Sequence, residues 1–238
     1  MKRGKLAFEL CSSNIHDIIL AQQYRLDGVE LCNILRYGGI SPSTALLKQS
    51  RDQFSGELAV LIRPRLGGFK YDSYEKQQII YEIESFIDLG ADTVVFACLG
   101  EHSRIDLRFM EIVRSVCKSK TLCFHRAFDD IPNKEKVIQQ LITLGVNRIL
   151  TSGGMPTAIQ GVKALNQFNE WANGAIEIMA GAGINDENID FLVSQSSLSR
   201  FHFSLSETIS DPFPSIMELG TSNRTNEQKL KNIMERYG

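Results

Sequence analysis

The chain has 238 residues, of which 43% are hydrophobic and 23% are charged, and its formal net charge is −2. This composition is typical of one large globular domain, and so small a charge gives no electrostatic case for nucleic acid or a membrane surface as a partner. No apolar run approaches the roughly 20 residues that span a bilayer, and the first residues lack the apolar core of a signal peptide, so we expect a cytoplasmic protein.

Strand-like and helix-like segments alternate along the chain without a break. The predicted strands cover residues 6–11, 29–32, 58–63, 93–98, 122–127, 148–151, 177–180 and 200–204. The predicted helices cover residues 15–24, a segment that opens at Ser41-Pro42, and residues 73–89, 107–117, 134–144, 157–171 and 187–193. Eight strand–helix units in this order favour a single-domain α/β TIM (β/α)₈ barrel. The alternative is a doubly wound open sheet.

The barrel is predicted to occupy residues 1–207, and residues 208–238 form a predicted C-terminal extension. No ninth strand is predicted there. Residues 211–214 are expected to be irregular, and residues 226–237 form a polar terminal helix. This helix is interpreted as a surface extension or as a contact to a partner subunit.

Two similar tripeptides close the first two predicted strands. They are Glu9-Leu10-Cys11 and Glu30-Leu31-Cys32. Residues two apart on a strand point to the same face, so each Glu shares a face with its Cys. Sites of barrel proteins lie where the strands end, which places all four side chains at the mouth. The opposite ends of the strands are predicted to be mostly apolar.

Further polar or flexible residues fall at the same ends of other strands and form the remaining candidate set: Arg63, Arg65, His125, Arg126, Ser152, Gly181, Gly183 and His202. One interpretation is structural, with Glu9 and Glu30 paired to Arg63 and Arg126 because buried charges need partners. The other is an anion pocket in which free arginines bind a carboxylate or phosphate with two hydrogen bonds.

Two of these candidates carry more specific expectations. His125 is a candidate general acid or base, although neighbours on a strand face opposite ways, so His125 and Arg126 are not expected to face the pocket together. Gly181 and Gly183 lie in a glycine-rich turn between a strand and a helix. Such a turn binds phosphate in some barrels and is only a tight turn in others.

Five cysteines, an odd number, and no export signal favour free thiols over a disulfide framework. Without a CxxC or zinc-finger spacing, no structural zinc site is expected. Cys11 and Cys32 on neighbouring strands suit a soft cation such as Cu(I), or else pack as small hydrophobic residues. No Met or His near them in the sequence completes a coordination shell. Cys98 and Cys123 are expected in the core.

The ordered set of motifs resembles the CutC family of copper homeostasis proteins. It is carried by residues 8–11, 28–32, 38–43, 62–65, 124–129, 148–154, 178–184 and 201–202. The resemblance implies a cytoplasmic TIM barrel that forms a homo-oligomer and takes part in the control of intracellular copper. It also implies Cu(I) binding through Cys11 and Cys32, and brings neither an established reaction nor an organic cofactor.

Three departures from the family pattern fall at the predicted barrel mouth: Tyr37 replaces an acidic residue before Gly-Gly, Gly68 stands where an Asp is usual, and Phe203 interrupts the usual His-Ser-Ser. The alternative function is a barrel enzyme that acts on a small anionic or phosphorylated metabolite. In that case Arg63 and Arg65 hold the anion, and Glu30, His125 and Arg126 are catalytic. A third interpretation is a scaffold that senses a metabolite without converting it.

Overall fold

The computed structural model describes residues 5–209 and 221–238, and its centre is a closed barrel of eight parallel strands in sequential order. The barrel strands are β1 (Ala7–Ser12), β2 (Gly28–Leu31), β3 (Glu57–Leu61), β4 (Thr93–Val95), β5 (Thr121–Phe124), β6 (Arg148–Thr151), β7 (Glu177–Gly181) and β8 (Arg200–Phe203). β8 pairs with β1, which closes the ring. The predicted TIM barrel is confirmed, and the open sheet is excluded.

Helices follow the strands around the outside of the barrel. They are α1 (Ile15–Gln23), α2 (Thr44–Gln53), α3 (Ser73–Asp88), α4 (Leu107–Cys117), α5 (Lys134–Thr143), α6 (Val162–Ala172), α7 (Ile189–Gln195) and α8 (Glu227–Tyr237). Across residues 5–209 and 221–238, every helix is too short or too polar to cross a membrane.

The expected start of α2 at Ser41-Pro42 is wrong. Ser43 is the N-cap, and its side chain accepts a hydrogen bond from Leu46 N at 3.2 Å. Ser41 instead binds the neighbouring unit, because its Oγ donates to Glu82 at 2.6 Å and accepts from Arg63 N at 2.8 Å. A serine that serves a tertiary contact is indistinguishable in sequence from one that caps a helix.

The strands separate two apolar cores because successive side chains face opposite ways. On β1, Phe8 and Leu10 pack outward under the helices, whereas Cys11 belongs to a small cluster inside the barrel. The other buried members of that inner cluster are Cys32, Ala59, Leu61, Val95, Cys123, Leu150 and Met179. These side chains pack together in the barrel interior.

Four charged residues meet at the amino ends of the strands, so the expectation of mostly apolar ends there is wrong. Glu57, Arg148, Glu177 and Arg200 are each the first residue of a barrel strand. Arg148 contacts Glu57 at 2.8 Å and Glu177 at 2.6 Å, and Arg200 contacts both carboxylates at 3.2 Å. These mutual ion pairs offset the cost of burying the charges.

The expectation of no strand after the barrel is also wrong. β9 (Ser206–Ile209) pairs antiparallel with β10 (Ser222–Thr225). The pair is held to the barrel by α1, because Thr225 N donates to the buried carboxylate of Asp17 at 2.9 Å. Such a contact between distant residues leaves no local pattern in the sequence. The segment 211–214, expected to be irregular, lies outside the described residues.

The predicted terminal helix is present as α8, and one of its sides is buried. Leu230 and Ile233 are fully buried in the outer core, and the Tyr237 ring lies 5.8 Å from the Phe8 ring. Hydrogen bonds join α8 to the end of α1, from Tyr24 to Glu227, and to α7, from Arg236 to Asp190. α8 therefore covers the barrel wall between α7 and α1.

Candidate functional site

A cavity of about 610 Å³ opens at the carboxyl ends of the strands. This volume is within the range of small-molecule sites, about 300–1,000 Å³. Its polar or ionisable lining residues include Cys11, Glu30, Cys32, Tyr37, Arg63, His125, Arg126, Asp129, Asp130, His202 and Lys229. Most of the predicted site residues therefore do meet in one cavity.

A row of three ionisable side chains lies at the bottom of the cavity: Glu30 and His202 line it, whereas the predicted site residue Glu9 lies behind His202 and does not line it. His202 lies between two carboxylates, with Nδ1 2.8 Å from Glu9 Oε1 and Nε2 3.3 Å from Glu30 Oε2. Glu9 and His202 are register partners on β1 and β8, whereas Glu30 sits beside Cys11 on β2. All three residues come from adjacent strands of the closed ring, so the barrel itself fixes their spacing.

The environment shifts the ionisation of two members of this row. Burial and the nearby charge of Glu9 raise the pKa of Glu30 from 4.5 to about 7, although the charge of His202 opposes them. Burial lowers the pKa of His202, but the hydrogen bond to Glu9 and the charges of Glu30 and Glu9 raise it more, so the net pKa is raised. A carboxyl group with a pKa near 7 is suited to both accepting and releasing a proton at neutral pH.

The two predicted metal ligands are neighbours. The Sγ atoms of Cys11 and Cys32 are 3.7 Å apart, both residues are buried, and both line the cavity. The hydrogen bond with Cys32, burial and the charges of Glu30 and Glu9 raise the pKa of Cys11 well above its usual range.

The expectation that no His lies near these thiols is wrong. One donor atom each from Cys11, Glu30 and His202 lies within 4.8 Å of the other two. His202 is remote from Cys11 in the sequence, and only closure of the barrel brings β8 beside β1. The remaining cysteines, Cys98, Cys117 and Cys123, are buried free thiols that do not line the cavity.

Arg63 carries a buried charge that pairs with no carboxylate in the described part of the chain. It is 7% exposed, and it donates to the carbonyl oxygens of Tyr37 at 3.2 Å, Gly39 at 2.7 Å and Gly67 at 2.6 Å. Within residues 5–209 and 221–238 it makes no ion pair with a carboxylate, and its Nε has no hydrogen-bond partner. The side chain is thus held by the backbone of the mouth, and its positive charge is not neutralised.

The structural interpretation of the four predicted charges is therefore wrong. Glu9 contacts His202 and lies 3.7 Å from Arg148, and Glu30 contacts His202. Arg126 pairs with Asp129 at 2.9 Å. Neither predicted glutamate–arginine pair forms, because the partners come from strands that the prediction did not place side by side.

Arg65 lies outside the cavity. Its guanidinium forms an ion pair with Glu75 and donates to Gly68 O at 3.0 Å and Lys70 O at 2.9 Å. The side chain is 41% exposed. The two arginines of one short motif are thus divided between the cavity and the outer surface.

His125 is a neutral hydrogen-bond donor at the cavity wall. Its Nδ1 accepts from Ala127 N at 3.1 Å, which leaves the proton on Nε2, and Nε2 has no hydrogen-bond partner among the residues that the structure describes. Burial and the charge of Arg63 lower the pKa of His125 to about 3. The ring packs against Phe69 with 4.6 Å between centroids.

Both His125 and Arg126 line the cavity, contrary to expectation. β5 ends at Phe124, and residues Arg126–Asp130 form a short helical turn. The argument from alternating faces of a strand therefore does not apply to them. The predicted strand extended three residues too far because the apolar Ala127 and Phe128 continue the pattern into the turn.

Ser152 does not line the cavity but positions a residue that does. Its Oγ donates to Asp129 Oδ2 at 3.0 Å and accepts from Arg126 Nη2 at 3.1 Å. Gly154 N also donates to Asp129 at 3.0 Å. The loop after β6 thus orients the Asp129 carboxylate toward the cavity mouth.

Gly181 and Gly183 have different positions. Gly183 has a φ of +69° and lines the cavity. Gly181 lies next to His202 in register, and a Cβ there would come within 2.6 Å of Leu150 Cδ1. α7 begins at Ile189, later than predicted, and phosphate binding by this turn stays a prediction.

Lys229 is a lining residue that sequence reasoning missed. It lies in the first turn of α8 and lines the cavity, as do Ser204 and Ser206. Nothing in a polar terminal helix distinguishes this lysine from its neighbours, and only the position of α8 on the barrel brings it to the cavity.

Comparison with known proteins gives consistent matches. The sequence profile of the CutC family matches residues 6–207. A family protein CutC of Glaesserella parasuis is 35% identical over 236 residues, which cover 95% of this chain and 97% of that protein. A second, from Bacteroides thetaiotaomicron, is 39% identical over 206 residues, covering 86% of this chain and 83% of that protein.

A solved structure agrees with the sequence relatives. The CutC protein of Streptococcus agalactiae, named for copper homeostasis, superposes with a TM-score of 0.78 at 31% identity. The match covers 83% of this chain and 97% of that one.

Proposed function

The chain belongs to the CutC family, and on this premise we propose that it takes part in copper homeostasis by binding Cu(I) between Cys11 and Cys32. The observation that carries the proposal is the 3.7 Å separation of the two Sγ atoms at the cavity floor. With metal–sulfur bonds of about 2.3 Å, two sulfurs that share one ion lie at most about 4.6 Å apart. The thiols are thus already close enough to share an ion.

Thiolate sulfur is the ligand type that selects Cu(I). The carboxylates of Glu9 and Glu30 lie nearby and favour any cation over a neutral ligand. The same carboxylates and the burial disfavour a free thiolate at Cys11, so Cu(I) has to displace the thiol proton. We expect the apparent affinity for Cu(I) to rise about tenfold per pH unit for each proton released.

The test is an anaerobic Cu(I) titration against a chromogenic chelator. The wild type is expected to bind one Cu(I) tightly, and the Cys11→Ser/Cys32→Ser variant is expected to lose this binding. The control variant is Cys98→Ser/Cys117→Ser, which removes two buried thiols outside the cavity lining. Equal binding by the wild type and the Cys11→Ser/Cys32→Ser variant would refute the site.

A second function is favoured by a different observation, the unneutralised charge of Arg63. A guanidinium has five N–H groups: three of those of Arg63 donate to carbonyl oxygens, its Nε–H is buried, and one Nη2–H is left for a ligand. This arrangement favours an enzyme that acts on a small anionic metabolite. Arg63 would bind the carboxylate or phosphate, and the Nε2–H of His125 would donate to a second oxygen.

In such an enzyme Glu30 is the group that moves a proton. Its pKa of about 7 lets it act as acid or base at neutral pH, and it lines the same cavity. Arg126, which is 45% exposed and ion-paired with Asp129, lines the same cavity and would attract the anion. Ser152 acts indirectly, because its hydroxyl group positions the Asp129 carboxylate.

Thermal-shift measurements with inorganic phosphate and small carboxylates test this second function. We expect at least one anion to raise the melting temperature of the wild type and of Arg65→Lys. Arg63→Lys keeps the positive charge but lacks the planar guanidinium group, so the anion should not raise the melting temperature of this variant. Copper binding should survive in Arg63→Lys. Equal shifts in Arg63→Lys and the wild type would contradict the assignment of Arg63.

A further inference from the structure

We infer that Cys11, Glu30 and His202 form a second kind of metal site, one for a borderline divalent cation such as Zn²⁺. Their donor atoms all lie within 4.8 Å of one another, and the three residues line the cavity together. One sulfur, one carboxylate oxygen and one imidazole nitrogen are the ligand types that Zn²⁺ accepts. This set differs from the sulfur pair proposed for Cu(I).

The spacing suits a tetrahedral ion. Zinc bonds of about 2.0–2.3 Å give a tetrahedron whose edges are about 3.3–3.8 Å. His202 Nε2 and Glu30 Oε2 are 3.3 Å apart, which is one such edge. The Cys11 Sγ lies within 4.8 Å of a donor atom of each of these two residues, so it has to move closer by about 1 Å to complete the face.

Glu9 supplies the outer support that zinc-bound histidines usually have. It accepts a hydrogen bond from Nδ1 of His202 at 2.8 Å, which orients the ring and directs Nε2 toward Glu30. Glu9 is itself 1% exposed, and its other oxygen lies 3.7 Å from Arg148. The imidazole is therefore held in place before any ion arrives.

The fourth position of such an ion faces the cavity. The three donors come from β1, β2 and β8, on one side of the barrel mouth, and the space above them is the cavity of about 610 Å³. A site with three protein ligands and an open position is typical of catalytic rather than structural zinc. A water molecule or an oxygen atom of an anionic ligand would complete the shell.

The inference is independent of the Cu(I) proposal because it does not use Cys32. Cys32 lies 3.7 Å from Cys11 but outside the group in which every donor is within 4.8 Å of the others. The two sites share Cys11 and so cannot be filled together. Cys32→Ser is therefore the variant that separates them.

The first test is titration with Co²⁺, whose absorption bands report on tetrahedral coordination and on bonds to thiolate. The wild type should show saturable tetrahedral bands with one thiolate charge-transfer band. Cys11→Ser should lose the charge-transfer band, and Glu30→Gln and His202→Gln should lose saturable binding. Cys32→Ser should bind as the wild type does, although it should lose Cu(I). Glu9→Gln should weaken Co²⁺ binding about 10–100-fold.

A measurement on the wild type alone guards against variants that fail to fold. X-ray absorption of the Zn²⁺-loaded protein should show one sulfur and two or more nitrogen or oxygen neighbours. Two sulfur neighbours, an all-oxygen shell, or Co²⁺ binding that depends on Cys32 but not on Glu30 would overturn the inference. If the wild type does not bind Cu(I), the copper proposal is refuted, but the proposal of a site for a divalent cation is not.

Discussion

Burial changes the ionisation of Glu30 at neutral pH. In the folded protein its pKa is about 7, against 4.5 for an unperturbed carboxyl. Between these values the folded state binds more protons than the unfolded chain, so the free energy of unfolding falls as the pH rises. His202 acts in the same direction, because a raised pKa contributes stability at low pH that is lost as the pH rises.

The resulting prediction concerns stability between pH 5.5 and 8. Wild-type protein should be less stable at pH 8 by about 1–3 kcal/mol, and Glu30→Gln should flatten this dependence. Urea denaturation at the two pH values measures it. Glu84→Gln removes an exposed carboxyl on α3 and should keep the wild-type slope. Parallel slopes for Glu30→Gln and the wild type would show that Glu30 is ionised throughout this range.

For individual residues, membership of the candidate site was easier to predict from the sequence than the side chains that each residue contacts. Glu30 and Cys32 were placed in the mouth correctly, because a period of two residues is a property of the strand itself. The contact of His202 with Glu9 could not be predicted, since it requires that β8 lie beside β1 in a known register. The separation of Arg63 from Arg65 depends on Glu75, a residue of the following helix.

At the scale of elements, α8 behaves as part of the barrel wall. Ile233 is fully buried in the same core as Phe8. Ile233→Ala should lower the free energy of unfolding by about 2–5 kcal/mol, the usual cost of truncating a buried Ile. Urea denaturation provides the measurement, and Lys231→Ala, an exposed change on the same helix, should be close to the wild type. Equal effects of the two substitutions would mean that the helix is not packed in solution.

The bounds of a helix or strand were predictable where a local sequence pattern determines them. They were not predictable where a tertiary contact determines them. α3 begins at the predicted residue because Asp72 and Glu75 form a capping box, which is written in four consecutive residues. β9 and β10 were missed because β9 is largely exposed and polar and pairs across a long segment. No alternation of apolar and polar residues marks such a strand.

At the scale of the whole molecule, ionisable side chains in contact with one another form a continuous row, or file, through the barrel interior. It begins with Glu57 and Arg148 at the amino ends of the strands and continues through Glu9, His202 and Glu30 to the cavity. Apolar side chains usually fill the interior of such barrels. Here the file joins the structural ion pairs at one end to the candidate site at the other.

Arg148 contacts several carboxylates of that file and of the amino-end cluster, and its removal should lower the free energy of unfolding. Arg148→Met leaves the buried Glu9 without its arginine and Glu57 with Arg200 alone, which should cost about 3–5 kcal/mol in the free energy of unfolding. Arg65→Met removes an arginine of a more exposed pair and should cost much less. The comparison uses urea denaturation at pH 7. Losses of equal size would mean that the interior file contributes nothing beyond a surface ion pair.

The fold as a whole was predictable because eight strand–helix units in unbroken alternation have few compact solutions. The charged cluster at the amino ends of the strands was not predictable, because Glu57, Arg148, Glu177 and Arg200 look like ordinary strand boundaries in the sequence. Only closure of the ring makes the first residues of four strands into one cluster.

If the paired thiols at the mouth of the barrel bind Cu(I), anomalous diffraction from anaerobically Cu(I)-loaded crystals will locate the ion between them. We expect one copper peak within bonding distance of the Sγ atoms of both Cys11 and Cys32. A peak at Cys98, Cys117 or Cys123, or no peak in the cavity of a protein that binds copper, would contradict it.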